Sequence, residues 1–224
     1  MATTVVVTVT VTVTVTVTVI AVPWYLSGGI DAADCIAAYQ PKGADDLADS
    51  YVNLASPGTN NAAPGVAPTW AAETGWTFNG TTQYLNTGIV PAHPCSILAQ
   101  FSDGVDDGMV VGLMAEFTQV LHVLPDDGMG NSSYGYGGIS VYGAAPVSSG
   151  NMGVTVEDGY LNGVAIEEGP MSALSTTLTV YIGANDIDGV ASSFKSCKVS
   201  ALAFYSRTLT PAEMLAVATA MAAL

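Results

Sequence analysis

The chain has 224 residues, half of them apolar and a tenth charged, with 24 glycines and 11 prolines among short apolar runs. This length and composition fit one large all-β domain with many turns, and they exclude a disordered chain. Nineteen acidic and four basic side chains give a net charge of −15. Nucleic acid and anionic membranes are excluded as partners, because both require clustered Lys and Arg.

The first predicted element is a period-two segment from Val5 to Ile20, which contains the run TVTVTVTVTVT from Thr8 to Thr18. This alternation predicts a two-faced β-strand about 50 Å long at the usual rise per residue, and not a membrane-spanning helix. The segment lacks the basic start and unbroken apolar run of a signal peptide, so neither a leader nor membrane insertion is predicted. No turn lies within the repeat, so it cannot close into a hairpin.

An unpaired strand edge of this length recruits other chains. We therefore predict that residues 1–22 form an assembly strand, which pairs with its own copies or with the sandwich edge of a neighbouring copy. Its valine face would close a narrow core, most simply in a homotrimer, and threonine suits the wet face. The alternative is a tolerated tail that arose by repeat slippage in the gene. The predicted assembly residues are Val5, Val7, Val9, Val11, Val13, Val15, Val17 and Val19.

Pro23 ends the repeat and opens a lead-in over residues 23–70, in which a short helical turn is predicted at 44–54. Beyond the lead-in, short apolar runs separated by Asn-Gly and Asp-Gly turns recur at the spacing of an antiparallel β-sandwich. Strands are predicted at 76–78, 83–87, 96–101, 109–113, 117–124, 138–142, 153–156, 164–166, 178–182 and 198–205.

The last 15 residues, TPAEMLAVATAMAAL from 210 to 224, predict a C-terminal helix. Thr210 suits the N-cap, a proline occupies the first helical position, and Glu213 completes a capping box. The helix can pack on the sandwich through an apolar face made by Met214, Leu215 and Met221.

Four segments in order resemble the laminin-G-like, concanavalin-A-type jelly-roll domains. GWTFNGTTQYLNTG (Gly75–Gly88) resembles the opening strand pair of that family, and KVSALAFYSRTLTPAEMLAV (Lys198–Val217) resembles its closing strand and helix. Between them, DGYLNGVAI (Asp158–Ile166) is similar to the hairpin that carries the family's Asn-Gly turn, and LTVYIGAN (Leu178–Asn185) is similar to the strand that leads to a glycine. The resemblance implies one jelly-roll domain over residues 23–224. Its lead-in resembles those of phage and metagenomic surface proteins.

The jelly-roll family includes glycoside hydrolases, whose retaining members, as the resemblance implies, carry acidic residues at alternating positions of one strand. No such run occurs here. Adjacent acidic pairs, which leave a strand on opposite faces, occur instead at Glu157-Asp158 and Glu167-Glu168. The two imidazoles lie in no nucleophile motif: His93 is predicted in a loop and His122 at a half-buried strand position. We therefore predict that the protein is not an enzyme.

Neither a zinc site nor a redox motif is predicted, because the three cysteines lie far apart and are expected to be small buried residues. They are Cys35, Cys95 and Cys197. Calcium is the one cofactor considered, because calcium binds oxygen ligands in the loops of related domains. The candidate ligands are Asp103, Asp106 and Asp107 in one loop, and Asn185, Asp186 and Asp188 in another. The simpler interpretation, which we favour, is that these residues form solvated hairpin loops.

The tract NSSYGYGGISVYG, residues 131–143, is a candidate glycine-rich loop that presents Tyr134, Tyr136 and Tyr142 to a glycan or a neighbouring subunit. The same tract fits a plain strand and turn equally well. Taken together, the sequence favours a non-enzymatic structural or display protein of a virion surface, such as a phage decoration or fibre protein, or of an extracellular fibre. Its predicted partners are its own copies and capsid, tail or other fibre subunits. The alternative is a carbohydrate-binding adhesin module, aided by calcium, whose repeat raises the valency toward surface glycans.

Overall fold

A computed structural model describes residues 22–105, 107–166 and 169–224. The Val/Thr repeat and its eight assembly valines, together with Asp106, Glu167 and Glu168, lie outside these described residues. The described part of the chain forms two β-sheets of eight and nine strands. The elements in chain order are β1 (Cys35–Tyr39), α1 (Leu47–Ser50), β2 (Ala63–Val66), β3 (Thr69–Ala71), β4 (Gly75–Asn79), β5 (Tyr84–Asn86), β6 (Ser96–Val105), β7 (Val111–Ala115), β8 (Gln119–Leu124), β9 (Ser132–Gly137), β10 (Ile139–Gly143), β11 (Gly150–Val154), β12 (Gly159–Leu161), β13 (Val164–Ala165), β14 (Tyr181–Ile182), β15 (Asn185–Ile187), β16 (Val190–Ser192), β17 (Ser196–Tyr205) and α2 (Pro211–Ala222).

The two sheets stack face to face as a sandwich. The first sheet runs β13-β12-β11-β6-β17-β4-β3, with β1 also beside β17. The second runs β10-β9-β8-β7-β14-β5-β2, with β15 beside β7 and β16 beside β15. Neighbouring strands are antiparallel except for β7 and β15, which are parallel. The predicted all-β sandwich with a short C-terminal helix is confirmed, and each predicted apolar run overlaps a strand.

The main core lies between the sheets, where alternate residues of each strand point inward. Trp76 and Phe78 of β4 meet Leu121 of β8 and the tyrosines of β9 in one buried cluster. Trp76 lies in the middle of the aromatic part of this core, because its ring is within 6.5 Å of three others, centroid to centroid. One face of the second sheet therefore packs in the core, and its opposite face points outward.

Helix α2 covers the outer face of the first sheet and forms a second apolar cluster there with Trp24 and Tyr205. Its capping box is confirmed, because the Thr210 hydroxyl accepts from Glu213 N at 3.3 Å while Glu213 Oε2 accepts from Thr210 N at 2.8 Å. The predicted apolar face needs one correction. Leu215 is 48% exposed, since the buried positions follow the helical spacing one residue away; they are Met214, Val217, Ala218 and Met221.

Arg207 joins this helix to the sandwich. Its Nε donates to Asp34 Oδ2 at 2.6 Å, and its Nη2 donates to Glu213 Oε1 at 2.7 Å. The guanidinium lowers the pKa of Glu213 to about 2. The prediction for the cysteines is also confirmed, because all three thiols are buried and unbridged. No helix among the described residues is long and apolar enough to cross a membrane.

Candidate ligand groove

A groove opens on the outward face of the second sheet, across β7, β8, β9 and β10. The side chains of Leu121, Tyr134 and Val141 point into the core, so the alternate positions of the same strands face outward. The cavity above them has a volume of about 420 Å³. We call it the outer groove; its lining residues are Met109, Met114, His122, Leu124, Asp127, Met129, Asn131, Ser133, Ser140 and Tyr142.

Strand register sets the floor of the outer groove. Gly112 of β7 pairs with His122 of β8, His122 pairs with Gly135 of β9, and Gly135 pairs with Ser140 of β10. Polar side chains thus alternate with glycines across four strands. A Cβ atom on Gly135 would lie 2.4 Å from Cε1 of His122, so the imidazole can lie flat over the sheet only because this residue is glycine.

His122 is the most unusual polar residue of the groove. It is only 4% exposed, and its Nε2 lies 3.1 Å from Ser133 Oγ, while its buried Nδ1 has no hydrogen-bond partner among the described residues. Burial lowers the pKa of His122 to about 4, so the ring is neutral at physiological pH. A neutral imidazole with one nitrogen already bonded can offer the other to a ligand. The sequence placed His122 correctly in a strand, but the residue is fully buried and not half-buried.

Tyr142 stands at the rim of the outer groove and is 53% exposed. A second cavity of about 430 Å³ lies on its other side, lined by Tyr134, Leu161 and the loop after β10. The Tyr142 ring therefore forms a ridge between two cavities. An exposed aromatic ring of this kind offers an apolar face together with a hydroxyl that can hydrogen-bond.

The prediction that Tyr134 and Tyr136 contact a ligand is corrected by the structure. Both are fully buried between the sheets. The hydroxyl of Tyr136 accepts from Cys95 N at 2.9 Å and lies 3.2 Å from Nδ1 of His93, which is in a loop as predicted. The glycine-rich tract is a β-hairpin of β9 and β10, since its tyrosines and glycines alternate with the period of a strand. Of the three tyrosines, Tyr142 alone reaches the surface.

Asp127 is the one charged residue among the described residues that line the outer groove. The carboxylate of Asp127 accepts from Met129 N at 2.8 Å and from Asn131 N at 3.0 Å, and these bonds lower its pKa. None of the described residues that line the groove is Lys or Arg. Two of the four cations are paired elsewhere: Lys198 with Asp103 at 2.7 Å, and Arg207 with Asp34 and Glu213. The groove therefore suits a neutral ligand better than an anionic one.

The two candidate calcium loops do not form clusters in the described residues. Asp103 is paired with Lys198, Asp107 is exposed, and Asp106 is outside the described range. Among the residues that the structure describes, no group of three or more His, Cys, Asp or Glu is placed to hold a metal ion.

In the second loop, Asn185 and Asp186 are consecutive residues of β15, so their side chains leave the strand on opposite faces. Asp186 Oδ1 accepts from Gly189 N, and Asp188 Oδ1 accepts from Glu116 N, each at 2.8 Å. These carboxylates thus stabilise turns, and calcium binding stays a prediction.

Sequence reasoning missed most of the outer groove. Tyr142 was predicted as a contact residue, but His122 was predicted only as a strand residue. The methionines of the groove were connected with neither. A signal was present in QVLHVL, where a histidine at a period-two position with Val120 and Leu124 marks the outward face of β8. Sequence alone does not show which strands lie beside β8.

No protein-family model matches the chain, and no curated protein matches it by sequence. Among solved structures it is similar to a mutant of Trypanosoma rangeli sialidase displaying trans-sialidase activity, with 14% identity and a TM-score of 0.56, over 85% of this chain and 34% of that one. The chain thus spans about a third of the sialidase. It is also similar to domain 4 of AbnA, a GH43 extracellular arabinanase from Geobacillus stearothermophilus, in complex with arabinotriose.

The likeness to domain 4 of AbnA has 18% identity and a TM-score of 0.53, and it covers 83% of this chain and 98% of that one. The two molecules are therefore comparable over nearly the whole of the smaller domain. At these identities the comparisons establish the fold alone. The chain is an all-β sandwich whose structural neighbours are parts of glycosidases, one of them a domain that binds an oligosaccharide.

Proposed function

We propose that this protein is a non-catalytic carbohydrate-binding module of the laminin-G-like jelly-roll type, which binds a neutral glycan in the outer groove. The observation that carries the proposal is the groove itself. An exposed aromatic ring, Tyr142, stands beside imidazole, amide and hydroxyl groups in a cavity whose described lining carries no Lys or Arg. A ligand site of this kind is mostly apolar with a few convergent polar groups. The domain of AbnA that holds arabinotriose has the same sandwich, which supports the choice of ligand class.

In this proposal one face of a sugar ring packs on Tyr142, and its hydroxyls hydrogen-bond to Ser133, Ser140 and Asn131. Hydrolysis of a glycosidic bond generally uses two carboxyl groups on opposite sides of the scissile bond. The described lining of the outer groove offers only Asp127, whose Oδ1 accepts from Met129 N and Asn131 N and whose Oδ2 accepts from Asn131 Nδ2. Binding without cleavage is therefore the function that these residues support.

We expect Tyr142→Ala to weaken glycan binding about tenfold, since a packed aromatic contact contributes about 1.4 kcal/mol. Calorimetric titration with neutral oligosaccharides measures this, with arabinotriose as the first ligand and a glycan array to widen the search. Phe117→Asn is the matched control: it removes a ring that is 77% exposed at the β7–β8 turn, outside the groove. Asparagine also tolerates the positive φ of 55° found there.

Two results would contradict the proposal. One is a wild-type protein that binds no neutral glycan on the array or in solution. The other is a Tyr142→Ala protein that binds as tightly as Phe117→Asn. Either result would remove the groove as a glycan site.

A second role, assembly, is proposed for residues 1–22. The specific observation in its favour is the Val/Thr repeat, in which valine and threonine alternate and so give the strand one valine face and one threonine face. Pairing of this strand between copies, most simply three, would raise the valency of the glycan site. We propose further that such an assembly is displayed on a virion surface or in an extracellular fibre, where a net charge of −15 would keep crowded copies soluble.

Substitutions on the two faces of the repeat test this role. Val11→Asp places a charge on the valine face and should convert the oligomer to monomer, because a buried unpaired carboxylate is strongly unfavourable. Thr12→Asp, one residue further along, places the same charge on the wet face and should leave the oligomer intact. Light scattering coupled to size exclusion measures the mass. Equal behaviour of the two variants, or a monomeric wild type, would refute the assembly role.

A further inference from the structure

Asn185 is a buried polar residue whose side chain makes no hydrogen bond to any described residue. It is 0% exposed, and both amide atoms, Oδ1 and Nδ2, lack a partner among the described residues. Most buried polar side-chain atoms in folded proteins have at least one partner, and each exception requires an explanation. An amide with both ends unpaired is costly to bury, unless a ligand completes its hydrogen bonds.

The Asn185 side chain lies on the face of the second sheet that carries the outer groove. β15 runs parallel to β7, with Asn185 beside Gly112. Val111 and Leu113 point into the core, so Gly112 between them faces outward. Asn185, its partner on β15, faces outward as well. A Cβ atom on Gly112 would lie 2.8 Å from Asn185 Oδ1 and 2.9 Å from Met109 Sδ. The amide and the thioether therefore both fill the space above this glycine.

Met109 separates Asn185 from the outer groove. It lines the groove and is itself only 6% exposed. Methionine is unbranched with three rotatable side-chain bonds, so it can change conformation without moving the backbone. On the other side of Gly112 lies His122, whose Nδ1 is also unpaired. The Asn185 amide lies over Gly112 of β7, whereas the His122 ring leans over Gly135 of β9. The two unpaired groups thus lie on either side of β8, over strands whose backbones are about 10 Å apart at the usual spacing.

We propose that the Asn185 amide, over Gly112, and Nδ1 of His122, over Gly135, form a hydrogen-bonding pair on either side of β8, which binds hydroxyl groups on opposite edges of one neutral sugar ring when Met109 moves aside. An amide both donates and accepts, and a neutral imidazole nitrogen supplies one further bond, which matches hydroxyl groups and not a carboxylate or phosphate. Once Met109 has moved, the absence of a side chain on Gly112 leaves room for the ring to approach the sheet. This inference rests on the proposed carbohydrate-binding function, since it names the covered part of the same site.

Asn185→Leu tests the pair, because leucine has nearly the same shape and no hydrogen-bonding group. Calorimetry with the best neutral oligosaccharide from the array should show binding about tenfold weaker. Thermal unfolding should show no loss of stability, since the wild-type amide makes no bond to lose. Asn151→Leu is the matched control: Asn151 is 4% exposed and also has an unpaired Oδ1, but it lies in β11 of the other sheet. It should bind as the wild type does.

Met109→Ala tests whether Met109 acts as a gate over Asn185. The substitution should raise the affinity about threefold, because no side chain then has to be displaced before binding.

Nuclear magnetic resonance gives a direct reading even if Asn185→Leu fails to fold, because the side-chain amide signal of Asn185 in the wild-type protein must shift on titration with the sugar. An unshifted signal, or full affinity in Asn185→Leu, would overturn the pair, and wild-type affinity in Met109→Ala would overturn the gate. If the pair and the gate are both overturned while Tyr142→Ala loses glycan binding, the proposed function stands. If the wild type binds no neutral glycan, both the proposed function and this inference are refuted.

Discussion

Replacing Trp76 with alanine will lower the free energy of unfolding by about 4 kcal/mol, the usual cost of removing a fully buried tryptophan from a core. The ring is 0% exposed and packs against Tyr39, Tyr51 and Phe78, with ring centroids 6.2, 6.0 and 6.5 Å away. Its Nε1 donates to Ser50 Oγ at 2.8 Å. The substitution therefore leaves a large cavity and removes the donor to Ser50 Oγ where the lead-in segment meets the sandwich.

Denaturant unfolding followed by circular dichroism measures this loss. Trp76→Phe keeps most of the aromatic packing and should cost about half as much. Tyr142→Ala is the control, because a half-exposed side chain outside the core should change the stability by less than about 0.5 kcal/mol. A Trp76→Ala protein as stable as this control would show that the lead-in does not depend on the sandwich core.

The features that the sequence predicted are those encoded locally. Period-two apolar runs and Asn-Gly or Asp-Gly turns determine strands and hairpins within about ten residues of each other. The capping box at Thr210 and Glu213 is likewise a contact between near neighbours. The sandwich and the C-terminal helix could therefore be predicted from the sequence without knowledge of any long-range contact.

The features that the sequence did not predict depend on distant pairing. β1 lies in the lead-in yet pairs with β17 at the other end of the domain, and β2 and β3 also join the sheets. Tyr134 and Tyr136 lie in a glycine-rich tract, but Gly135 is there to accommodate His122 from the neighbouring strand. The outer groove has the same origin, because its floor is a row across separate strands whose order only the folded topology fixes.

His122 should make the fold less stable in acid, by about 2 kcal/mol between pH 7 and pH 5. Burial lowers its pKa from the ordinary 6.5 to about 4. In this pH range the unfolded chain takes up a proton on the imidazole, whereas the folded protein does not. Because the unfolded state binds more protons, the free energy of unfolding must fall as the pH drops from about 6.5 toward 4. Above pH 6.5 both states hold a neutral imidazole, and none of this stability is lost.

His122→Gln removes the titrating group and keeps an amide near Ser133, so unfolding of both proteins at the two pH values isolates the effect. The wild type should lose about 2 kcal/mol more than the variant, and equal losses would mean that the folded imidazole takes up a proton as readily as the unfolded one. The neutrality of the ring matters for the groove as well. A ring that stays neutral keeps the same hydrogen-bonding capacity at Nδ1, so the affinity of the folded protein for a neutral glycan should stay constant from pH 7 to pH 5 while its stability falls.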